Sequence, residues 1–160
     1  MISAIHVNDS EYQMRLITSC RSMAMFVLVL GLLFAPLAQA EVIKIDNAKL
    51  KQLMAAGVTV VDIRRPDEWQ DAGLVEGSRL LTFFHDKEYK VYDIDEWMAG
   101  LAKIITSKDQ PVILICRSGN RTGTVGALVN EMGYKTVYAV EKGINLWIKE
   151  GNPTVPYQMR

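Results

Sequence analysis

Two stretches of this chain are apolar at consecutive positions, and they constrain the fold more than any other feature. One is the β-branched run Val58-Thr59-Val60-Val61 ending in Asp62; the other is Val112-Ile113-Leu114-Ile115, introduced by Pro111. A strand with one face in water alternates apolar and polar residues, whereas a strand covered on both faces is apolar throughout, as in parallel sheets. Helical segments lie between the strands. Asp46 or Asn47 caps a helix running to about Met54 and ended by Gly57, and Pro66 opens a short helix through Asp67, Glu68, Trp69 and Gln70. Asp93 or Asp95 caps a helix to about Ile105, residues 122–132 read as a helix closed by Gly133, and residues 143–149 as one closed by Gly151 and Pro153. Further strands are expected at residues 42–45, 79–81 and 135–140, and the polar, aromatic segment 83–93 as a surface excursion. Alternation of this kind implies right-handed crossovers, and hence an α/β domain with a mostly parallel sheet of about five strands and helices on both faces.

Composition narrows the function. The 160 residues carry 18 Lys plus Arg against 18 Asp plus Glu, so the net charge is zero and no basic footprint for nucleic acid is expected. Two cysteines, Cys20 and Cys116, exclude a disulfide scaffold and a four-cysteine zinc site. Two histidines far apart, His6 and His85, do not suggest a metal centre.

Residues 1–40 have a different character. Residues 22–40 carry no charge, follow Arg15 and Arg21, contain Pro36, and end Ala38-Gln39-Ala40 before Glu41. That is the pattern of a secretory signal peptide cleaved after Ala40, with Met14 as an alternative start; an uncleaved membrane anchor is the competing reading. The expectation is a periplasmic or secreted domain, residues 41–160, without stable membrane association after cleavage. Export would leave Cys116 as a lone thiol in an oxidising compartment, either an inert buried side chain or a reactive one.

Its neighbours favour reactivity. In open α/β sheets the ligand crevice lies beyond the carboxyl ends of the strands, where Cys116-Arg117-Ser118-Gly119-Asn120-Arg121-Thr122 falls. Gly119 permits the left-handed backbone that turns successive N–H groups inward as an anion nest, and the following helix points its positive end at the same spot. With Arg117 and Arg121 added, Cys116 is expected as a thiolate nucleophile. Ser118 and Thr122 either donate to the sulfur or cap the helix. Arg117 is either a donor-binding cation or simply solvated, and Arg121 either adds charge or pairs with a carboxylate such as Asp62.

On this loop the chain resembles the rhodanese family of sulfurtransferases. The resemblance extends over residues 42–156 through Val61-Asp62-Ile63-Arg64 with Glu68-Trp69, Gly73 with Gly77-Ser78, and Gly143-Ile144-Asn145-Leu146-Trp147 before Gly151-Asn152-Pro153. It departs at Gly73-Leu74-Val75-Glu76-Gly77-Ser78, where Gly-His-Ile-Pro-Gly-Ala is common, and at Lys142-Gly143, where Gly-Gly is usual. The resemblance implies Cys116 as the catalytic nucleophile and Arg117, Ser118, Gly119, Asn120, Arg121 and Thr122 as the substrate-binding loop. It also implies Asp62, Arg64 and Glu68 as framework residues on that side and Trp147 as a core anchor. The family's chemistry uses a small anionic sulfur donor such as thiosulfate and a thiol or cyanide-like acceptor, with a protein acceptor also possible, and calls for no cofactor, metal or general base. Two other readings compete. Phosphatases and arsenate reductases use a C-x5-R loop, and Cys116 to Arg121 is C-x4-R. A persulfide carrier or protein-binding module with little turnover would keep the same fold and motif.

Overall fold

A computed structural model describes residues 41–158 of the chain; the signal-peptide reading, with Cys20, Met14 and the membrane-anchor alternative, concerns residues outside that range. No helix among the described residues is long and apolar enough to cross a membrane. The chain order is β1 (Ile43–Ile45), α1 (Asn47–Ala55), β2 (Thr59–Asp62), α2 (Pro66–Ala72), β3 (Arg79–Leu80), α3 (Ile94–Ile104), β4 (Val112–Ile115), α4 (Asn120–Glu131), β5 (Val137–Val140) and α5 (Gly143–Lys149).

The five strands form one sheet in the order β1-β5-β4-β2-β3, and every pairing is parallel. β4 lies at its centre, flanked by β2 and β5, which is why it is apolar throughout. Val112 and Leu114 enter one core with Trp97 and Leu101 of α3 and Val125 and Val129 of α4. Ile113 and Ile115 enter the other with Leu50 of α1 and Ile144 and Trp147 of α5. Helices thus cover both faces. Each fully buried Leu, Ile or Val contributes about 1.5–3 kcal/mol relative to exposure, so a strand buried on both faces stabilises the fold at every one of its four positions.

Several boundaries differ from the sequence expectation, β5 starting at Val137 and not at residue 135, and two differences have a clear physical reason. α4 begins at Asn120, two residues earlier than expected, because Gly119 itself takes the left-handed conformation (φ 86°) at the cap position and the helix starts directly after it. The segment after residue 82 is not wholly a surface excursion. Phe83 and Phe84 are buried at 4% and 9% exposure, and Phe83 packs edge-on to Trp97 at 5.1 Å. Burying two phenyl rings outweighs the polar character of their neighbours, and the chain returns to the surface only from His85 onward.

Candidate active site

The site is built where the centre of the sheet ends. β4 delivers Cys116 fully buried, and Arg117, Ser118 and Gly119 turn the chain into α4. The first turn of α5 clasps this loop from behind: the N–H of Ile144 donates to the carbonyl of Cys116 at 2.9 Å, and that of Asn145 to the carbonyl of Arg117 at 3.1 Å. The approach is so close that a Cβ at Gly143 would fall on the Cys116 carbonyl oxygen, and one at Gly119 would lie 2.8 Å from the backbone nitrogen of Lys142. Both glycines also have positive φ. Lys142, where the family's usual pattern has glycine, is left-handed too (φ 55°), so the backbone shape survives the substitution at a steric cost of about 1 kcal/mol.

This clasp makes a sharp prediction. Gly143→Ala places a methyl group on the loop backbone in a left-handed conformation and is expected to cost about 2–4 kcal/mol in a denaturant titration, whereas Lys142→Gly stays within about 1 kcal/mol of the parent.

The result of the clasp is a donor aimed at sulfur. The Gly119 N–H lies 3.2 Å from Cys116 Sγ. Thr122 does neither job expected of it: its hydroxyl donates to the Gly119 carbonyl at 2.9 Å, no side chain caps α4, and towards the sulfur, 4.0 Å away, its Oγ1 is the acceptor and the thiol the donor. Ser118, Gly119 and Asn120 line a cleft of about 330 Å³ together with Lys44 and Lys142. Ser118 and Asn120 are exposed, as is Arg117.

Arg121 is placed otherwise than the sequence suggested. It does not pair with Asp62; it forms a two-pronged ion pair with Glu68, Nη1 to Oε2 at 2.7 Å and Nη2 to Oε1 at 2.6 Å, with the side chains 8% and 5% exposed. Asp62 is occupied by Arg64, two residues along the same strand end, at 2.7 Å with both side chains fully enclosed. Arg64 also donates to the carbonyls of Glu68 and Gly73, so its buried charge is satisfied on several sides. Burial alone would push the Glu68 carboxyl up, but the Arg121 hydrogen bonds, the Arg65 backbone N–H and the two guanidinium charges outweigh it and hold it below the usual carboxylate range. Arg121 therefore ties the first turn of α4 to α2. Asp62, Arg64 and Glu68 do lie in a framework on this side, and Trp147 is buried, its indole N–H donating to the Pro153 carbonyl at 2.8 Å. A member of the site that sequence reasoning missed is Tyr89, whose ring centroid is 5.0 Å from the Arg121 guanidinium. Only the aromatic character of its segment hinted at it.

The sequence profile of the rhodanese-like domain matches residues 46–150. The chain belongs to the rhodanese-like family. Among its relatives, the thiosulfate sulfurtransferase GlpE of Pseudomonas aeruginosa is 29% identical over 104 residues, covering 65% of this chain and 82% of GlpE. The YtwF protein of Bacillus subtilis is 30% identical over 115 residues, covering 71% of this chain and 97% of YtwF. A crystal structure of a rhodanese-related protein from Thermoplasma volcanium superposes with a TM-score of 0.55 at 29% identity, covering 72% of this chain and 99% of that one. Around Cys116 the structure thus places a buried sulfur, one backbone N–H directed at it where successive N–H groups were expected, and a loop held by a neighbouring helix.

Proposed function

We propose that this rhodanese-like domain is a sulfurtransferase that carries a sulfane sulfur on Cys116. The observation that carries the reading is the Gly119 N–H directed at Cys116 Sγ from 3.2 Å, at the head of a 12-residue helix. A backbone donor and the positive end of a helix stabilise a thiolate and equally a persulfide anion. The thiolate of Cys116 attacks the outer sulfur of a small anionic donor such as thiosulfate. A sulfur–sulfur bond to Cys116 forms, the bond to the sulfonate sulfur breaks, and sulfite leaves with the electron pair. A thiol or cyanide-like acceptor, or a thiol on a partner protein, then attacks the outer sulfur and the cysteine thiolate is released. The cradle itself stabilises the anion, so the cycle draws on no metal or organic cofactor. Formation of thiocyanate from thiosulfate and cyanide tests it; a pure carrier or binding module would take up sulfur without turnover.

Arg117 is exposed and belongs to the mouth of the site, where it draws in the anionic donor. A solvent-screened charge of this kind is worth about 1 kcal/mol or less, so Arg117→Ala should raise the Michaelis constant for thiosulfate by up to about fivefold and leave the rate at saturation unchanged. Export is part of the same proposal, resting on the Ala38-Gln39-Ala40 pattern. N-terminal sequencing of the periplasmic or secreted protein should return Glu41; a start upstream of Met23 would contradict it.

A further inference from the structure

Among the described residues two that are not glycine have a left-handed backbone, Lys142 and Tyr89. Lys142 is explained by its place ahead of α5. Tyr89 (φ 57°) is not at a helix end, and for a bulky aromatic residue this conformation is uncommon and costs free energy, so something must hold it there. The loop around it is closely tied. The His85 N–H donates to the Val91 carbonyl at 2.8 Å, and the Asp86 carboxylate accepts from the backbone of Glu88, Lys90 and Val91 at 3.1, 2.8 and 2.6 Å. Phe84 meets the Tyr89 ring edge-on at 5.5 Å.

The strained residue presents its ring to the cations around Glu68. The Arg121 guanidinium lies 5.0 Å from the ring centroid and that of Arg65 5.9 Å, both within cation–π range. Arg65 Nη1 is buried and reaches Glu68 only as an ion pair at 3.4 Å, so the ring face and the side-chain hydrogen bond of Tyr89 add to what holds the Arg65 guanidinium in place. The ring itself is partly exposed while the Arg121 side chain beneath it is 8% exposed: the tyrosine takes up the solvent boundary in place of the ion pair.

We infer that Tyr89 is a positioning residue for the Cys116 loop, its ring capping the Glu68–Arg121 pair so that α4 keeps the Gly119 N–H aimed at the sulfur. The inference rests on Cys116 as the sulfur-carrying thiol. Tyr89 touches neither the sulfur nor a donor; it acts through Arg121, the second residue of α4, two residues after Gly119. Water reaching the pair would weaken it, since the attraction between the two charges falls as the local dielectric rises.

The test compares Tyr89→Leu, Tyr89→Phe and Tyr89→Gly with the parent. It reads thiosulfate:cyanide transfer and the alkylation rate of Cys116 by iodoacetamide, which needs no sulfur transfer. The charged and titratable groups facing the pair are Arg65, Asp67 through Arg65, Tyr89 itself and Cys116. The expected result for Tyr89→Leu is a roughly tenfold lower rate at saturating thiosulfate with a Michaelis constant within about twofold, a split that a loss of donor binding would not give. Tyr89→Phe keeps the ring and should restore parental behaviour. Tyr89→Gly relieves the backbone but removes the ring, and should be impaired like Tyr89→Leu; it carries the test if the leucine variant does not fold. A parental rate at saturating thiosulfate in Tyr89→Gly, or a phenylalanine variant as impaired as the leucine one, would overturn the inference. Absence of transfer in the parent would instead overturn the sulfurtransferase reading, and the alkylation rates would still decide the role of Tyr89: slowed or quickened in Tyr89→Gly and parental in Tyr89→Phe if it positions the loop, parental in both if it does not.

Discussion

Cys116→Ser should abolish both sulfur uptake and transfer, with a loss of about 10³-fold or more against the parent at saturating thiosulfate. The loop would survive. Serine is close in size, the Cys116 position is fully buried, and the carbonyl that Ile144 uses is part of the backbone, so the clasp between α5 and the loop does not depend on the side chain. What changes is the nucleophile. An alcohol ionises far less readily than a thiol, so the same donors cannot yield an alkoxide. A folded serine variant with residual turnover near the parental rate would place the sulfur chemistry elsewhere. Thermal unfolding of the variant, run alongside, should show a midpoint close to the parent and so separate lost chemistry from lost structure.

Arg121→Ala should be among the most destabilising substitutions in the domain, costing about 3–5 kcal/mol at neutral pH. Both oxygens of Glu68 are bound by Arg121, and with that side chain removed the buried carboxylate keeps only Arg65, its backbone N–H at 3.2 Å and its Nη1 at 3.4 Å. The penalty comes from the stranded charge more than from the lost pair, which fixes its pH dependence. In the parent, Glu68 is held below the ordinary carboxylate value of 4.5, so its contribution is present above that value and is lost as pH falls through the lower folded one. In the variant, burial dominates, the carboxyl is pushed up, and protonation relieves the stranded charge. The difference in stability between parent and Arg121→Ala should therefore be largest near neutrality and shrink as the pH falls through the carboxylate range. A second change, Glu68→Gln, made in the Arg121→Ala background should recover part of the loss. Urea titrations at several pH values measure both effects; a difference that stays constant with pH would show that the charge on Glu68 does not matter.

Much of this architecture is legible in the residues because burial on two faces leaves a direct trace. Val112 to Ile115 and the run ending at Asp62 can be apolar throughout only in the middle of a covered sheet, and both strands lie there. The cysteine loop is equally legible, since Gly119 interrupts an apolar strand and a helical pattern at the place where a parallel sheet opens its crevice. The partner of Arg121 is less so. A long side chain with a forked head can reach several carboxylates, and the choice between Asp62 and Glu68 is made by Arg64, which occupies Asp62 from the same strand end. Phe83 and Phe84 are hidden by their company: the segment is polar on average, and only the position of Trp97 in the folded chain shows that two of its rings complete the core. Tyr89 leaves the weakest trace, because its role depends on a left-handed backbone that nothing in its residue type announces.

The central claim is that Cys116 holds sulfur between donor and acceptor. Intact-mass measurement of the purified protein after incubation with thiosulfate and removal of the excess tests it most directly. The parent should gain the mass of one sulfur atom on the peptide containing Cys116 and lose it when cyanide is added; a parent protein that stays unmodified by thiosulfate would contradict the account.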